Sequence, residues 1–309
     1  MLDLEYWIWL SRIEKLGSIK IQKLLEKCKH PREIWKCKKE DLLKVEGIGE
    51  KIAKEILNNK YRIGLKEEIG KMEKEKVELI SIYDEYYPKK LKELYDRPIS
   101  LYVKGNKEIL NEFSLAIIGC RENSIYGKEV ATAVAKGLAK QNVVTVSGLA
   151  RGIDSISHKA TIDAKGKTIA VIGSGLDVIY PYENTNLVKE IIRNGGAIIS
   201  EYPLGTKPQK MNFPARNRII SGLSNGIIVI EAKKKSGSMT TVDFALEQGK
   251  TVFAIPRKHY KSKCKRNKWT NKTRCKMCDL LARYFGRILK NIMKKWLHKK
   301  SRFVIIIVK

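Results

Sequence analysis

A chain of 309 residues, 43% of them hydrophobic, is long enough for one large domain with a sizeable core and a smaller companion. Its net charge of +29 points to a polyanionic partner such as nucleic acid or an acidic membrane surface. The six cysteines lack the dense spacing of a secreted disulfide scaffold, and charges from Glu5 onward interrupt any early signal-like apolar run. The cysteine usage fits a reducing cytosol, so a cytoplasmic protein is expected, and of the two polyanions nucleic acid is the expected partner and not a membrane.

Residues 1–75 read as a small all-α domain. Trp7, Ile8, Leu10, Ile13 and Leu16, then Ile21, Leu24 and Leu25, recur at helical spacing. Within it, Val45 to Ala53 (VEGIGEKIA) looks like a helix-hairpin-helix element of the SAM-like kind, with Gly17, Ile19 and Ile21 as a degenerate second copy. Backbone N–H groups at such a turn can hold a phosphate, which makes Gly47, Gly49 and Lys51 possible contacts to a DNA backbone. The alternative is a hairpin used only for packing. Residues 76–112 read as a connector, turn-like from Tyr83 to Pro88 and extended from Ile99 to Val103.

From Ser114 the pattern alternates strand and helix. Strands are expected at Leu115–Ile118, Val143–Val146, Thr168–Ile172, Ala197–Ser200, Gly226–Ile230 and Thr251–Ile255. Helices fit at Ile125–Lys140, Ile153–Ala164, Glu183–Arg193, Arg216–Leu223 and Met239–Gln248. Short β-rich apolar runs between helices mean a parallel sheet covered on both faces, so residues 113–256 form an α/β, Rossmann-like domain.

Loops at the carboxyl ends of such strands form the ligand crevice. Three of them carry arginine: Gly119-Cys120-Arg121, Ser147 to Asp154 with Arg151, and Asn212 to Arg218 with Arg216, Asn217 and Arg218. Arginine forks onto phosphate oxygens, and two cations at a helix start oppose its dipole unless an anion sits there. Phe213 is either a platform for a nucleobase or a core anchor. Lys233-Lys234-Lys235 leads into Ser236-Gly237-Ser238, small residues that suit a phosphate nest. As a surface ion pair, Arg151 would take Asp154 or Glu201 as partner. Neither a GxGxxG fingerprint with its acidic partner nor a Walker GKS/T follows a strand, so NAD and ATP are disfavoured and no cofactor is expected. No GxSxG elbow or other catalytic set stands out.

Together these segments resemble the DprA/Smf family of DNA-processing proteins. The resemblance rests on GCRxxSxYG at Gly119 to Gly127, SGLARGID at Ser147 to Asp154, TIAVIGSGLDVIYPYEN at Thr168 to Asn184, ISEYPxGTxP at Ile199 to Pro208, NFPARNRIISGLS at Asn212 to Ser224, and EAxxxSGSMTTxxxALEQGKxVFAIP at Glu231 to Pro256. It implies a cofactor-free, non-enzymatic protein of natural transformation that binds single-stranded DNA, forms a homodimer and helps load the RecA recombinase. Its DNA pocket would use Arg121, Arg151, Arg216 and Arg218 with the Ser236-Gly237-Ser238 turn. An alternative on a related Rossmann branch is a nucleotide-binding or phosphoribohydrolase-like enzyme. That branch needs a PGGxGTxxE loop, and Ser236 to Thr241 has no glutamate at the required spacing.

The resemblance stops after Pro256. From Arg257 to Lys309 stand 19 lysines and arginines against one acid, Asp279. Cys275-Lys276-Met277-Cys278 with Cys264 and His259 has zinc-like spacing, but chance cysteines in an odd segment explain it better and no metal is expected. Read one nucleotide later, the codons for Arg257-Lys258 can spell glycine-asparagine, and those for Arg266-Asn267-Lys268 glycine-threonine-asparagine. Trp269 before Thr270 forces a glycine, and Arg274-Cys275-Lys276 can spell glycine-alanine-lysine. These are the residues that the family carries there, in order. Residues 257–309 therefore read as the product of a frameshift rather than as an evolved basic tail, which sequencing of the gene around codon 256 tests.

Overall fold

The computed structural model describes residues 2–13, 16–233 and 236–255. Lys234, Lys235, Pro256 and the whole basic segment from Arg257, with Cys264, Cys275, Cys278 and His259, lie outside the described residues.

The amino-terminal region is helical: α1 (Asp3–Arg12), α2 (Ser18–Cys28), α3 (Pro31–Lys36), α4 (Lys39–Leu43), α5 (Glu50–Ile56) and α6 (Leu65–Glu75). Six consecutive residues of α1, Glu5 to Leu10, are buried, so this helix is wrapped on all sides rather than laid on a surface. Pro31 opens α3, where its missing N–H costs nothing, and the His30 ring accepts the N–H of Arg32 as a cap. Helices α4 and α5 are joined by a tight turn closed by Ile48 N–H to Val45 O (3.0 Å), the hairpin geometry expected there. Lysines neutralise its acids, with Lys23 3.0 Å from Glu46 and Lys39 2.6 Å from Glu50.

The segment read as a connector does more than connect. It supplies β1 (Val77–Ser81), the short α7 (Lys89–Lys92) and β2 (Ser100–Gly105). The α/β succession then runs β3 (Ser114–Ile118), α8 (Ile125–Ala139), β4 (Val144–Ser147), α9 (Ile153–Asp163), β5 (Thr168–Ile172), α10 (Thr185–Arg193), β6 (Ala197–Ser200), α11 (Asn212–Leu223), β7 (Gly226–Val229), α12 (Gly237–Glu247) and β8 (Thr251–Ala254). One eight-stranded sheet results, ordered β1-β2-β6-β5-β4-β3-β7-β8. The six strands β3 to β8 are parallel. Strand β2 joins β6 antiparallel in the register Tyr102 to Ser200, and β1 pairs antiparallel with β2.

Side chains of β3 alternate between two cores, as the period of a strand demands. Leu115 and Ile117 face α8 and α9, whereas Ala116 and Ile118 face α11, α12 and α7. Ile219, Ile220 and Leu223 of α11 are almost inaccessible, each contributing about 1.5–3 kcal/mol of burial. A third core joins the helical region to the sheet through Tyr102 and Ile198. There the Tyr102 hydroxyl lies 2.9 Å from Ser11 Oγ and donates to Glu68 (3.4 Å), which is also ion-paired with Arg12.

The chain runs from β3 outward to β6, then returns to the other side of β3 for β7. The order reverses at β3, so the crevice of this sheet opens beyond the carboxyl ends of β3 and β7.

Candidate functional site

Hydrogen bonds stitch the loops after β3 and β7 together. Cys120 N–H donates to Glu231 O (2.7 Å), and the Glu231 carboxylate accepts from the N–H and hydroxyl of Ser124 (3.0 and 3.1 Å). Ser238 Oγ donates to Gly119 O (2.7 Å) and Asn217 Nδ2 to Gly237 O (3.2 Å). Between them lies a cavity of about 690 Å³ whose walls include Arg121, Lys210, Phe213, Arg216 and Lys233. Gly237 and Ser238 line it too, so the amino terminus of the 11-residue α12 opens onto it. The Ser236 hydroxyl turns back to Lys233 O (2.9 Å) and does not cap α12. The turn therefore offers backbone N–H groups to an anion, while its two hydroxyl protons are already engaged.

Helix α11 begins at Asn212, four residues earlier than its sequence pattern suggests. Pro214 falls in the first turn, where its lack of an N–H is harmless. Arg216 consequently sits in the second turn and points inward rather than opposing the helix dipole. It is 5% exposed, and Nη1 donates to Gly148 O (2.6 Å) and to Val171 O. Its Nε has no partner among the described residues. Burial lowers its pKa to about 10, with Asp154 opposing and Arg121 reinforcing the shift, so it stays charged at neutral pH.

Asp154 holds the loop beneath. It accepts the N–H groups of Gly148 (3.2 Å) and Ala150 (3.4 Å). Between them Leu149 adopts a left-handed φ of 57°, a strain of order 1–3 kcal/mol that Asp154 and Asn184 Nδ2, donating to Leu149 O (2.8 Å), hold in place. A Cβ on Gly148 would lie 2.7 Å from Arg216 Nη1 and 2.8 Å from Asp154 Oδ2, so only glycine leaves room for the guanidinium. Gly152, at φ 77°, lets this loop pass within 2.4 Å, measured from the position of a Cβ, of the Cys120 and Arg121 carbonyls.

Not all the expected arginines converge. Arg121 is exposed on the cavity wall, with no ion-pair partner among the described residues. Arg151 lines an adjoining crevice with Arg121, Arg216, Phe213 and Tyr180. Its partner is Glu183, on the exposed rim, rather than Asp154 or Glu201. Arg218 is a correction. It is buried, donates Nη2 to both oxygens of Glu201 (2.8 and 2.7 Å) and lies 3.2 Å from Asp96. It borders a different cavity, of about 990 Å³, between the helical region and the segment after β6. Arg216 and Arg218 are two residues apart on a helix, about 200° around its axis, and cannot share a wall.

Phe213 is half-buried and leans on Tyr180, with ring centroids 5.6 Å apart and planes at 46°. Asn217 is buried and its amide is engaged by the Gly237 carbonyl. Gly47, Gly49 and Lys51 border neither cavity. Sequence reasoning missed Lys210 and Tyr180. Lys210 stands two residues before Asn212 in an unpatterned loop, and Tyr180 lies inside the VIYPYEN motif without a charge to mark it. His158 is fully buried. Thr168 gives its proton to Thr145 O, so His158 Nδ1 donates to Thr168 Oγ1 (2.7 Å). Burial, with Arg216 acting in the same sense, lowers its pKa to about 3, which makes it a neutral structural residue. Among the described residues no cluster of His, Cys, Asp or Glu could hold a metal ion, and no helix is long and apolar enough to cross a membrane.

The model of the DNA recombination-mediator protein A family matches residues 78–282, from β1 through the whole sheet and on past Pro256, where the sequence resemblance was expected to stop. The chain belongs to the DNA recombination-mediator protein A family. Protein Smf of Escherichia coli is 38% identical over 259 residues, covering 83% of this chain and 67% of that protein. DNA processing protein DprA of Streptococcus pneumoniae is 49% identical over 176 residues, 57% of this chain and 62% of the relative. Its crystal structure superposes with a TM-score of 0.67 at 38% identity, covering 83% of this chain and 88% of that one. The family's member from Helicobacter pylori, solved for its single-stranded DNA binding mode, superposes with a TM-score of 0.58 at 32% identity, covering 70% of this chain and 96% of that one. The chain thus spans about two thirds of the length of the curated relatives.

Proposed function

We propose that the protein binds single-stranded DNA in the cavity beyond β3 and β7 and acts in DNA recombination as a mediator rather than as an enzyme. The observation that carries this reading is the convergence of Arg121, Lys210 and Arg216 with the open amino terminus of α12 and the Tyr180–Phe213 pair. Guanidinium, ammonium and helix N–H groups hold phosphates, while ring faces take bases without regard to sequence. The Helicobacter pylori member, described by its single-stranded DNA binding, supports the choice of ligand. Transfer of the strand to a RecA-type recombinase, a homodimer and a cytoplasmic setting complete the proposal, and they follow from the family rather than from the geometry.

Titration with a fluorescent oligothymidylate tests the reading. Binding should weaken with salt by about 0.7 in log–log slope per phosphate neutralised, and a duplex of equal length should compete poorly. Equal affinity for duplex and single strand would overturn it. Incubation with nucleoside monophosphates should release no free base.

A further inference from the structure

Asp154 is a carboxylate placed where a DNA site would be expected to avoid one. It is buried, on the second residue of α9, and it faces the cation that anchors the cavity floor. The two groups do not touch. They lie either side of the space that a side chain on Gly148 would occupy, each within 3 Å of it. Arg216 is held by two backbone carbonyls instead, and its Nε is left without a partner among the described residues. Arg216 thus has one carboxylate opposite it at a distance, and a phosphate entering the cavity would be a second anion competing for the same charge.

Among the described residues the other groups around Asp154 are few. The N–H groups of Gly148 and Ala150 and the Ser147 hydroxyl, from β4 and its loop, favour the charged form. Arg216 faces it from α11, and Arg121, from the β3 loop, bears on Arg216. On its own helix, His158 stands one turn away and is neutral down to about pH 3. Tyr202, which bears on Arg216 from beyond β6, is pushed up to about 12 and is neutral too. Burial pushes the Asp154 carboxyl up to about 6, against the pull of Arg216 and the N–H groups.

We propose that Asp154 is a positioning residue and resident counter-ion for Arg216, and that a bound strand displaces its charge, so that binding is accompanied by uptake of one proton at Asp154. The inference rests on the reading of the cavity as a DNA site. A phosphate close to Asp154 disfavours its ionised form and raises its pKa in the complex above the free value. Affinity is therefore greatest below about pH 6 and is lost as pH rises through the value in the complex. One proton limits the gain to tenfold per pH unit, so an overall change of about tenfold between pH 7.5 and 5.5 is expected.

The experiment is a pH series of oligothymidylate binding by the full chain and by Asp154→Asn, at constant ionic strength. Thymine does not titrate in this range. The wild type should tighten about tenfold on going from pH 7.5 to 5.5. The variant should be nearly flat, and at pH 7.5 should bind as the wild type does at pH 5.5. The same pH profile in both proteins, or a folded variant that does not bind, would overturn the inference. If the variant fails to fold, carboxyl ¹³C NMR of the wild type decides: the Asp154 midpoint must rise when oligothymidylate is added, and an unmoved midpoint sinks the proposal. A wild type that does not bind oligothymidylate at any pH overturns the DNA reading itself, whereas pH-independent binding overturns this inference alone.

Discussion

Two cavities flank the segment from Glu201 to Met211, and arginines border both. In the larger one, Arg12 is paired with Glu68, and Arg218 with Glu201 and Asp96. In the smaller one, Arg121 and Lys210 have no ion-pair partner among the described residues, and Arg216 leans on carbonyl dipoles. Size alone would favour the first cavity, because two arginines line each. Charge left without a local partner favours the second. A paired guanidinium must break existing contacts before it can hold a phosphate, whereas an unpaired one exchanges only water.

Arg216→Ala should have the largest effect. It removes the cation beneath the cavity and leaves Asp154 buried, costing about 3–5 kcal/mol of stability in urea denaturation and abolishing measurable oligothymidylate binding. Arg218→Ala puts the comparison at greatest risk. It should cost about 2–3 kcal/mol by stranding Glu201 and Asp96, yet change affinity by less than about twofold. A tenfold loss of affinity at unchanged fold would move the site to the other cavity. Arg121→Ala should do the reverse, with stability unchanged within about 0.5 kcal/mol, affinity down about tenfold and the salt slope reduced by about 0.7. The smallest effects belong to the rim. Arg151→Ala should weaken binding by about threefold or less, and Glu183→Gln should strengthen it slightly. Both should leave the melting temperature nearly unchanged, because solvent and salt screen an exposed ion pair.

Much of the α/β architecture was legible because buried parallel strands are short β-branched runs, such as Leu115 to Ile118 and Thr168 to Ile172, that stand out between helices. Strand β2 was legible as the extended run Ile99 to Val103, but β1 was not. Glu78 is the exposed position of the edge strand β1 and interrupts its apolar run, which hides the signal, whereas β2 is buried from Ser100 to Val103. The sequence pattern opens α11 at Arg216, after Pro214, although the first turn of a helix tolerates proline and α11 starts at Asn212. Arg218 was grouped with Arg216 through neighbourhood in sequence, where helical period separates them onto two cavities. The glycines and Asp154 of SGLARGID marked the loop, but that the carboxylate faces Arg216 across Gly148 is a tertiary fact that no local pattern carries.

The antiparallel pair β1–β2 also closes a flank. Without residues 77–105, strand β6 would present the open N–H and C=O groups of Ala197 to Ser200 at the margin of the sheet, a ready template for a neighbouring chain. The Tyr102 hydroxyl, held between Ser11 and Glu68, ties that same pair to the helical region. A fragment trimmed to the six parallel strands would accordingly be prone to strand-to-strand aggregation. A fragment that keeps this edge covered should start no later than β1 and retain the helices that Tyr102 holds, and its helices and sheet should melt as one cooperative block.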